Sequence, residues 1–195
     1  KCIFSPRPDL AALQWYASQI PAYEKPIFIT LAFGVNDLFK TELEKDNDFL
    51  RYVLLEKGEE DSSFYTADLD NRIAIGSVLE EGAFKKWLDE KTVPGLNEHV
   101  LYIHTKYLLI DPLGVDPLVV TGSANFSKAS IEKNDENMLI IRGETRVADI
   151  YLGEFMRLFN HHYFRYHVNR LSDSKRKDYR QGFLQGRYSD LHPRP

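Results

Sequence analysis

Residues 99–125 read HVLYIHTKYLLIDPLGVDPLVVTGSAN and contain two predicted strands joined by a turn. Residues 99–110 are rich in Val, Ile, Thr and Tyr, which favour extended backbone, and residues 117–121 form a second such run. Pro112 and Gly114 lie between the runs and Pro117 begins the second one, and these residues are typical of a turn. We therefore expect a β-hairpin here, with polar side chains at the open end of its strands.

The rest of the chain alternates helical and strand patterns around this hairpin. A chain that alternates in this way builds a layered α/β domain, and we expect a mixed β-sheet flanked by helices. The predicted strands are residues 26–33, 51–55, 72–75 and 137–141, and the predicted helices are residues 10–20, 36–43, 82–90 and 145–164, with residues 57–70 as a polar loop.

Composition and charge set the domain organisation and exclude several classes of protein. Hydrophobic residues make up 43% and charged residues 28%, which excludes a disordered chain. Cys2 is the one cysteine, so an internal disulfide and a cysteine metal site are excluded, and no apolar run reaches the roughly 20 residues of a transmembrane helix. Residues 165–195 hold eight Lys/Arg and three Asp/Glu, for a net charge of +5, against −9 for residues 1–164. We expect a domain over residues 1–165 and a basic, solvated tail over residues 166–195.

The polar residues of the hairpin have the chemistry of a phosphate site. His104 and Lys106 are two residues apart, so they share one face of a strand. A neutral imidazole can attack or transfer a proton, and a neighbouring lysine supplies positive charge without a metal. Gly122 permits close approach of a ligand, while Ser123 and Asn125 offer short polar groups. Together these residues suit a tetrahedral, anionic phosphate group.

Competing motifs are absent from the sequence. The segment around Ser123 lacks the G-x-S-x-G elbow of a serine hydrolase, and neither G-x-G-x-x-G nor H-E-x-x-H occurs. His161, His162 and His167 are expected to lie on a helix surface rather than around a metal ion. We expect no metal and no cofactor.

The hairpin resembles the HKD motif of the phospholipase D superfamily, H-x-K-(x)4-D-(x)6-G-S-x-N. The match covers His104, Lys106 and Asp111, followed by Gly122, Ser123 and Asn125. Ten residues rather than six separate Asp111 from Gly122, an insertion that a hairpin loop tolerates. The resemblance extends over residues 3–165, because lobes of this family open with a helix and an apolar strand and close with a carboxylate, a strand and a long helix.

This resemblance implies a metal-independent phosphodiester hydrolase or transphosphatidylase with a phosphohistidine intermediate. His104 would be the nucleophile or the general acid/base, and Lys106, Ser123 and Asn125 would bind phosphate. Glu136 matches the family carboxylate that accepts a hydrogen bond from the histidine ring and fixes its tautomer, although it could equally be a solvated residue of an acidic run. Asp111 is expected to be a buried supporting residue, since it has the opposite strand parity from His104.

One HKD motif is half of such an active site, because the family joins two lobes at one centre. A second lobe would come from a homodimer or from the same polypeptide. The start at Lys1 and the basic tail favour the latter, with this chain as the C-terminal lobe and His104 as the general acid. We expect a phospholipid substrate, because the acidic lobe disfavours duplex nucleic acid. A nuclease and a non-catalytic lobe supporting a larger protein remain alternatives. The expected location is cytoplasmic or peripheral at a membrane.

Overall fold

Seven strands form one sheet in the part of the chain that the structure describes, which is residues 1–22, 24–32, 34–57, 70–76 and 103–169 of this computed structural model. The strand order across the sheet is β1-β7-β6-β5-β2-β3-β4. The strands are β1 (Cys2–Phe4), β2 (Ile27–Leu31), β3 (Arg51–Leu55), β4 (Asn71–Ile75), β5 (Tyr107–Ile110), β6 (Leu118–Gly122) and β7 (Asn137–Arg142).

The sheet is mixed, and its two halves differ in strand direction. Strands β2, β3 and β4 are parallel to each other. Strand β5 pairs antiparallel with β2, and the antiparallel pairing continues through β6 and β7 to β1. All five residues of β2 are buried, as expected for a central strand covered on both faces. The predicted α/β class with a layered mixed sheet is therefore confirmed.

Helices cover both faces of the sheet and create two apolar layers. One layer packs the helices α1 (Ala11–Ala22), α2 (Asp37–Leu43) and α3 (Lys128–Glu132) against the sheet, with Leu13 and Phe39 fully buried. The other layer packs α4 (Thr145–Asn169) against the opposite face through Phe155 and Phe159. Helix α2 begins with a side-chain cap, because the side chain of Asn36 accepts a hydrogen bond from the Leu38 amide.

Several predicted elements differ from the observed ones. Strand β1 and helix α3 were not predicted, because three and five residues are too short to show periodicity. The strand predicted over residues 99–110 is confirmed for β5 at Tyr107–Ile110 and wrong for residues 103–106, while residues 99–102 lie outside the described residues. Helix α4 continues past residue 164 to Asn169, inside the predicted tail. The predicted helix over 82–90 and the tail beyond residue 169 lie outside the described residues.

The predicted surface position of the histidines in α4 is correct for His161 and wrong for His162. His162 is 5% exposed, so the prediction that it lies on a helix surface is wrong; its side chain lies on the buried side of α4, whereas His161 is exposed. Among the helices that the structure describes, none has the length and apolarity to cross a membrane.

Candidate active site

The predicted phosphate-binding residues lie at one edge of the sheet. Strand β6 ends at Gly122, and its antiparallel neighbours β5 and β7 begin at Tyr107 and Asn137. Antiparallel pairing places the start of each neighbour beside the end of β6. The segments that carry His104 and Lys106, Ser123 and Asn125, and Glu136 therefore meet at this edge, which we call the HK edge.

The backbone that carries His104 and Lys106 is not a strand. Residues 103–106 have no strand assignment, and side chains from neighbouring elements hold them instead. Thr30 Oγ1 donates a hydrogen bond to Thr105 O at 2.8 Å, and a Glu56 carboxylate oxygen accepts one from the Ile103 amide. The two functional residues still interact, since the Lys106 Nζ donates to the His104 carbonyl oxygen and the charge of Lys106 acts on His104.

Lys106 is a buried cation. Its side chain is 7% exposed, and its Nζ donates a hydrogen bond to the carbonyl oxygen of His104 at 2.5 Å. Burial lowers the pKa of Lys106 to about 8, and the negative charge of Glu136 opposes that shift. Lys106 is therefore mostly protonated at neutral pH, and its charge is poorly solvated, which makes it a strong partner for an anion.

His104 is exposed at the HK edge and favours the neutral form. Partial desolvation and the charge of Lys106 lower its pKa, while Glu56 and Glu136 raise it. The lowering causes are the larger ones, so the imidazole is mainly neutral at neutral pH. A neutral ring can act as a nucleophile or accept a proton.

Gly122, Ser123 and Asn125 shape the end of β6. A Cβ on Gly122 would lie 2.1 Å from the Asn137 carbonyl oxygen, so only glycine fits against β7. The Ser123 Oγ accepts a hydrogen bond from the Asn137 amide at 3.0 Å. The buried Oδ1 of Asn125 has no hydrogen-bond partner among the described residues. Asn125 thus keeps a buried polar atom at the HK edge.

Glu136 immediately precedes β7 and is half-buried. Its charge raises the pKa of both His104 and Lys106, so its carboxylate is near enough to interact electrostatically with both. The side-chain amide of Asn134 donates to its Oε1 at 3.3 Å. The role of Glu136 as the carboxylate that fixes the tautomer of His104 stays a prediction, since no hydrogen bond between the two side chains is observed among the described residues.

Asp111 lies at the opposite end of β5 from His104 and is not brought into the HK edge. It is half-buried in the turn after β5, with φ of +48°, and its amide donates to Pro26 O. A Cβ on Gly114 would lie 2.1 Å from an Asp111 carboxylate oxygen, so the turn closes tightly on this side chain. Its position is that of a hairpin residue that could support the site only through β5.

Glu56 is a site residue that the sequence reasoning missed. It follows β3 directly, is 3% exposed, and acts electrostatically on His104. The sequence did contain a signal for Glu56, since a carboxylate directly after a buried apolar strand lies at the carboxyl edge of a sheet, where sites of α/β folds occur.

A separate cavity of about 450 Å³ lies at the opposite edge of the sheet. It is lined by Glu24, Asp46 and Asp48, which come before β2 and β3 in the chain, and it is strongly acidic.

Comparisons with known proteins agree with this fold. Residues 52–159 match the family model described as "Cardiolipin synthase, PLD-like domain". Nuc from Salmonella typhimurium, described as a phospholipase D family member, has 17% identity and a TM-score of 0.55, over 82% of this chain and 93% of that one. NucT from Helicobacter pylori has 14% identity and a TM-score of 0.56, over 82% and 94%. Polyphosphate kinase from Porphyromonas gingivalis has 16% identity and a TM-score of 0.55, over 81% of this chain and 25% of that one. No curated protein sequence matches the chain.

Proposed function

The chain belongs to the phospholipase D-like family, and on that premise we propose that it is one lobe of a metal-independent phosphodiesterase that works through a phosphohistidine. The observation that carries this proposal is the pairing at the HK edge of an exposed, mainly neutral His104 with the buried cation of Lys106. This pairing offers a nucleophile and an anion-binding charge without a bound metal.

We assign the attack on phosphorus to His104. Its lowered pKa favours the neutral ring, which has the lone pair that attack requires. A general acid would instead need the protonated ring. In the single lobe, the direction of this pKa shift therefore favours the nucleophile role over the general-acid role expected for a C-terminal lobe.

Lys106 and Asn125 are proposed to bind the phosphoryl oxygens. The Lys106 ammonium is desolvated, so its attraction for an oxyanion exceeds that of a surface lysine. Asn125 has a buried Oδ1 with no partner among the described residues, and its Nδ2 protons are the groups that would donate to a phosphoryl oxygen. The Ser123 hydroxyl accepts from the backbone and retains its own proton for donation to phosphate.

The lobe is proposed to need a second HKD lobe for full activity. One histidine cannot attack phosphorus and at the same time protonate the leaving oxygen on the opposite side. The second lobe would come from another copy of this chain or from the same polypeptide. Loss of a positioned acid or base costs about 10²–10⁴ in rate, so a lone lobe would retain only residual turnover.

A phospholipid is the proposed substrate. Transfer of its phosphatidyl group to an alcohol is the proposed alternative to hydrolysis. The description of the matched family, which names a cardiolipin synthase, supports a lipid phosphodiester. A net charge of −9 over residues 1–164 disfavours a nucleic-acid duplex. A nuclease of the same family is the second candidate, since the chemistry at phosphorus is shared.

The test is phosphodiester cleavage by the full chain over a range of concentrations, alongside sedimentation. Bis(p-nitrophenyl) phosphate, phosphatidylglycerol vesicles and single-stranded DNA would be compared, with His104→Ala as the inactive variant. We expect vesicle cleavage that rises with dimer fraction and is absent from His104→Ala. Cleavage of DNA alone would select the nuclease, and no cleavage at any concentration or with an added second lobe would support the non-catalytic lobe.

A further inference from the structure

The backbone that presents His104 is held by side chains rather than by the sheet. Residues 103–106 precede β5 and lie outside its pairing with β2, whose last residue, Leu31, falls opposite Lys106 in the register. Backbone hydrogen bonds of a sheet would normally fix such a segment. Here two buried side chains from the neighbouring parallel strands provide hydrogen bonds in their place.

Thr30 makes two of these hydrogen bonds with one hydroxyl group. Its Oγ1 donates to Thr105 O at 2.8 Å and accepts from the Tyr107 amide at 3.1 Å. The residue is 0% exposed and lies within β2. A buried hydroxyl with both a donor and an acceptor partner has one preferred orientation. Thr30 therefore bridges the residues on either side of Lys106.

Glu56 holds the other end of the segment and brings a charge to it. Its amide donates to Leu31 O at 3.2 Å, which anchors the residue beside the end of β2. Its carboxylate accepts from the Ile103 amide, directly before His104. The side chain is 3% exposed, so the carboxylate is poorly screened by water.

We propose that Thr30 and Glu56 form a side-chain clamp that positions His104 for attack, and that the Glu56 carboxylate also stabilises the charged imidazole that forms during the reaction. Both are positioning residues that act through His104 and its backbone. The proposal rests on the assignment of His104 as the reacting group. It adds two residues, outside the HKD motif, to the machinery of the site.

The charges around His104 make the Glu56 contribution separable from the others. Lys106, two residues along the chain, lowers the pKa of His104. Glu56, after β3, and Glu136, before β7, both raise it. Glu56→Gln retains an acceptor oxygen for the Ile103 amide but removes the charge, while Glu56→Ala removes both. Glu136 remains in each variant, so any change in the pKa of His104 belongs to Glu56.

The experiment measures the pKa of His104 by NMR and amide exchange at Ile103 and Tyr107 in the full chain. We expect Glu56→Gln to lower the pKa of His104 with little change in exchange. Glu56→Ala should lower that pKa and also speed exchange at Ile103. Thr30→Val should speed exchange at Tyr107 and reduce kcat by ~10-fold or more with KM nearly unchanged, and Thr30→Ser should restore both. Thr121→Val is the matched control, because it removes a side-chain hydrogen bond with Tyr151 outside the clamp.

These readouts separate the clamp from the proposed function. An unchanged pKa of His104 in Glu56→Gln would overturn the electrostatic part. Exchange at Tyr107 that is no faster in Thr30→Val than in Thr121→Val would overturn the positioning part. The expected pKa and exchange changes in a protein that cleaves no phosphodiester would support the clamp and refute the catalytic assignment of His104.

Discussion

Lys106→Met is expected to stabilise the folded chain at neutral pH while it removes phosphate binding. The pKa of Lys106 is about 8, against an ordinary value of 10.5. At about 1.4 kcal/mol per pH unit, holding this lysine charged costs the folded state about 3 kcal/mol. The variant also loses the hydrogen bond to the His104 carbonyl, worth about 1 kcal/mol. A net gain of about 2 kcal/mol in the free energy of unfolding should remain at pH 7.

The difference in the free energy of unfolding between the wild type and Lys106→Met should depend on pH. A lysine whose pKa is lower in the folded state binds fewer protons there than in the unfolded chain between pH 8 and 10.5. Wild-type stability, relative to Lys106→Met, should therefore rise through this range as the folded chain sheds its costly charge. The advantage of the variant should be full below pH 8 and be lost as the pH approaches 10.5.

Urea unfolding at pH 7, 8, 9 and 10, followed by circular dichroism, would measure the difference. Lys128→Met is the matched control, because the side chain of Lys128 is 65% exposed on α3. The control should track the wild type at every pH. An advantage of Lys106→Met that does not change with pH, or a variant less stable than the wild type at pH 7, would refute the claim that Lys106 is held charged at a cost.

Three further predictions concern phosphate binding, the strand end and metals. Protection of the chain by inorganic phosphate or vanadate, measured as a shift in thermal unfolding, should weaken as pH rises through 8, since Lys106 then loses its charge; equal protection at pH 7 and 9.5 would contradict this role. Gly122→Ala should lower the free energy of unfolding by about 2 kcal/mol or more, because its Cβ would collide with the Asn137 carbonyl; Gly153→Ala, which has open space around it, is the control. Phosphodiester cleavage should survive EDTA, because Lys106 supplies the positive charge; loss in EDTA that added divalent ions restore would contradict the mechanism.

Local patterns were sufficient to predict the fold class and most of the elements. The apolar runs that became β2, β3 and β6 are visible in the sequence because central strands are buried on both faces. The spacing of His104, Lys106, Ser123 and Asn125 is a local property too, and it located the candidate site and indicated its chemistry. Glu136 was identified only through the resemblance, since its neighbours are equally acidic.

Features that depend on distant parts of the chain could be seen only in the tertiary structure. Strand β1 forms because it pairs with β7, about 135 residues away along the chain. The backbone before Tyr107 is not part of a strand. Thr30 and Glu56 provide hydrogen bonds to it in place of those of a sheet, and they lie 75 and 47 residues along the chain from their partners, Thr105 and Ile103. The same packing buries Lys106 and lowers its pKa, since desolvation depends on which atoms surround a charge. The sequence by itself determined the groups of the motif, His104, Lys106, Ser123 and Asn125, whereas the tertiary structure added Glu56 and decided protonation and support, because burial and long-range hydrogen bonds leave no local pattern.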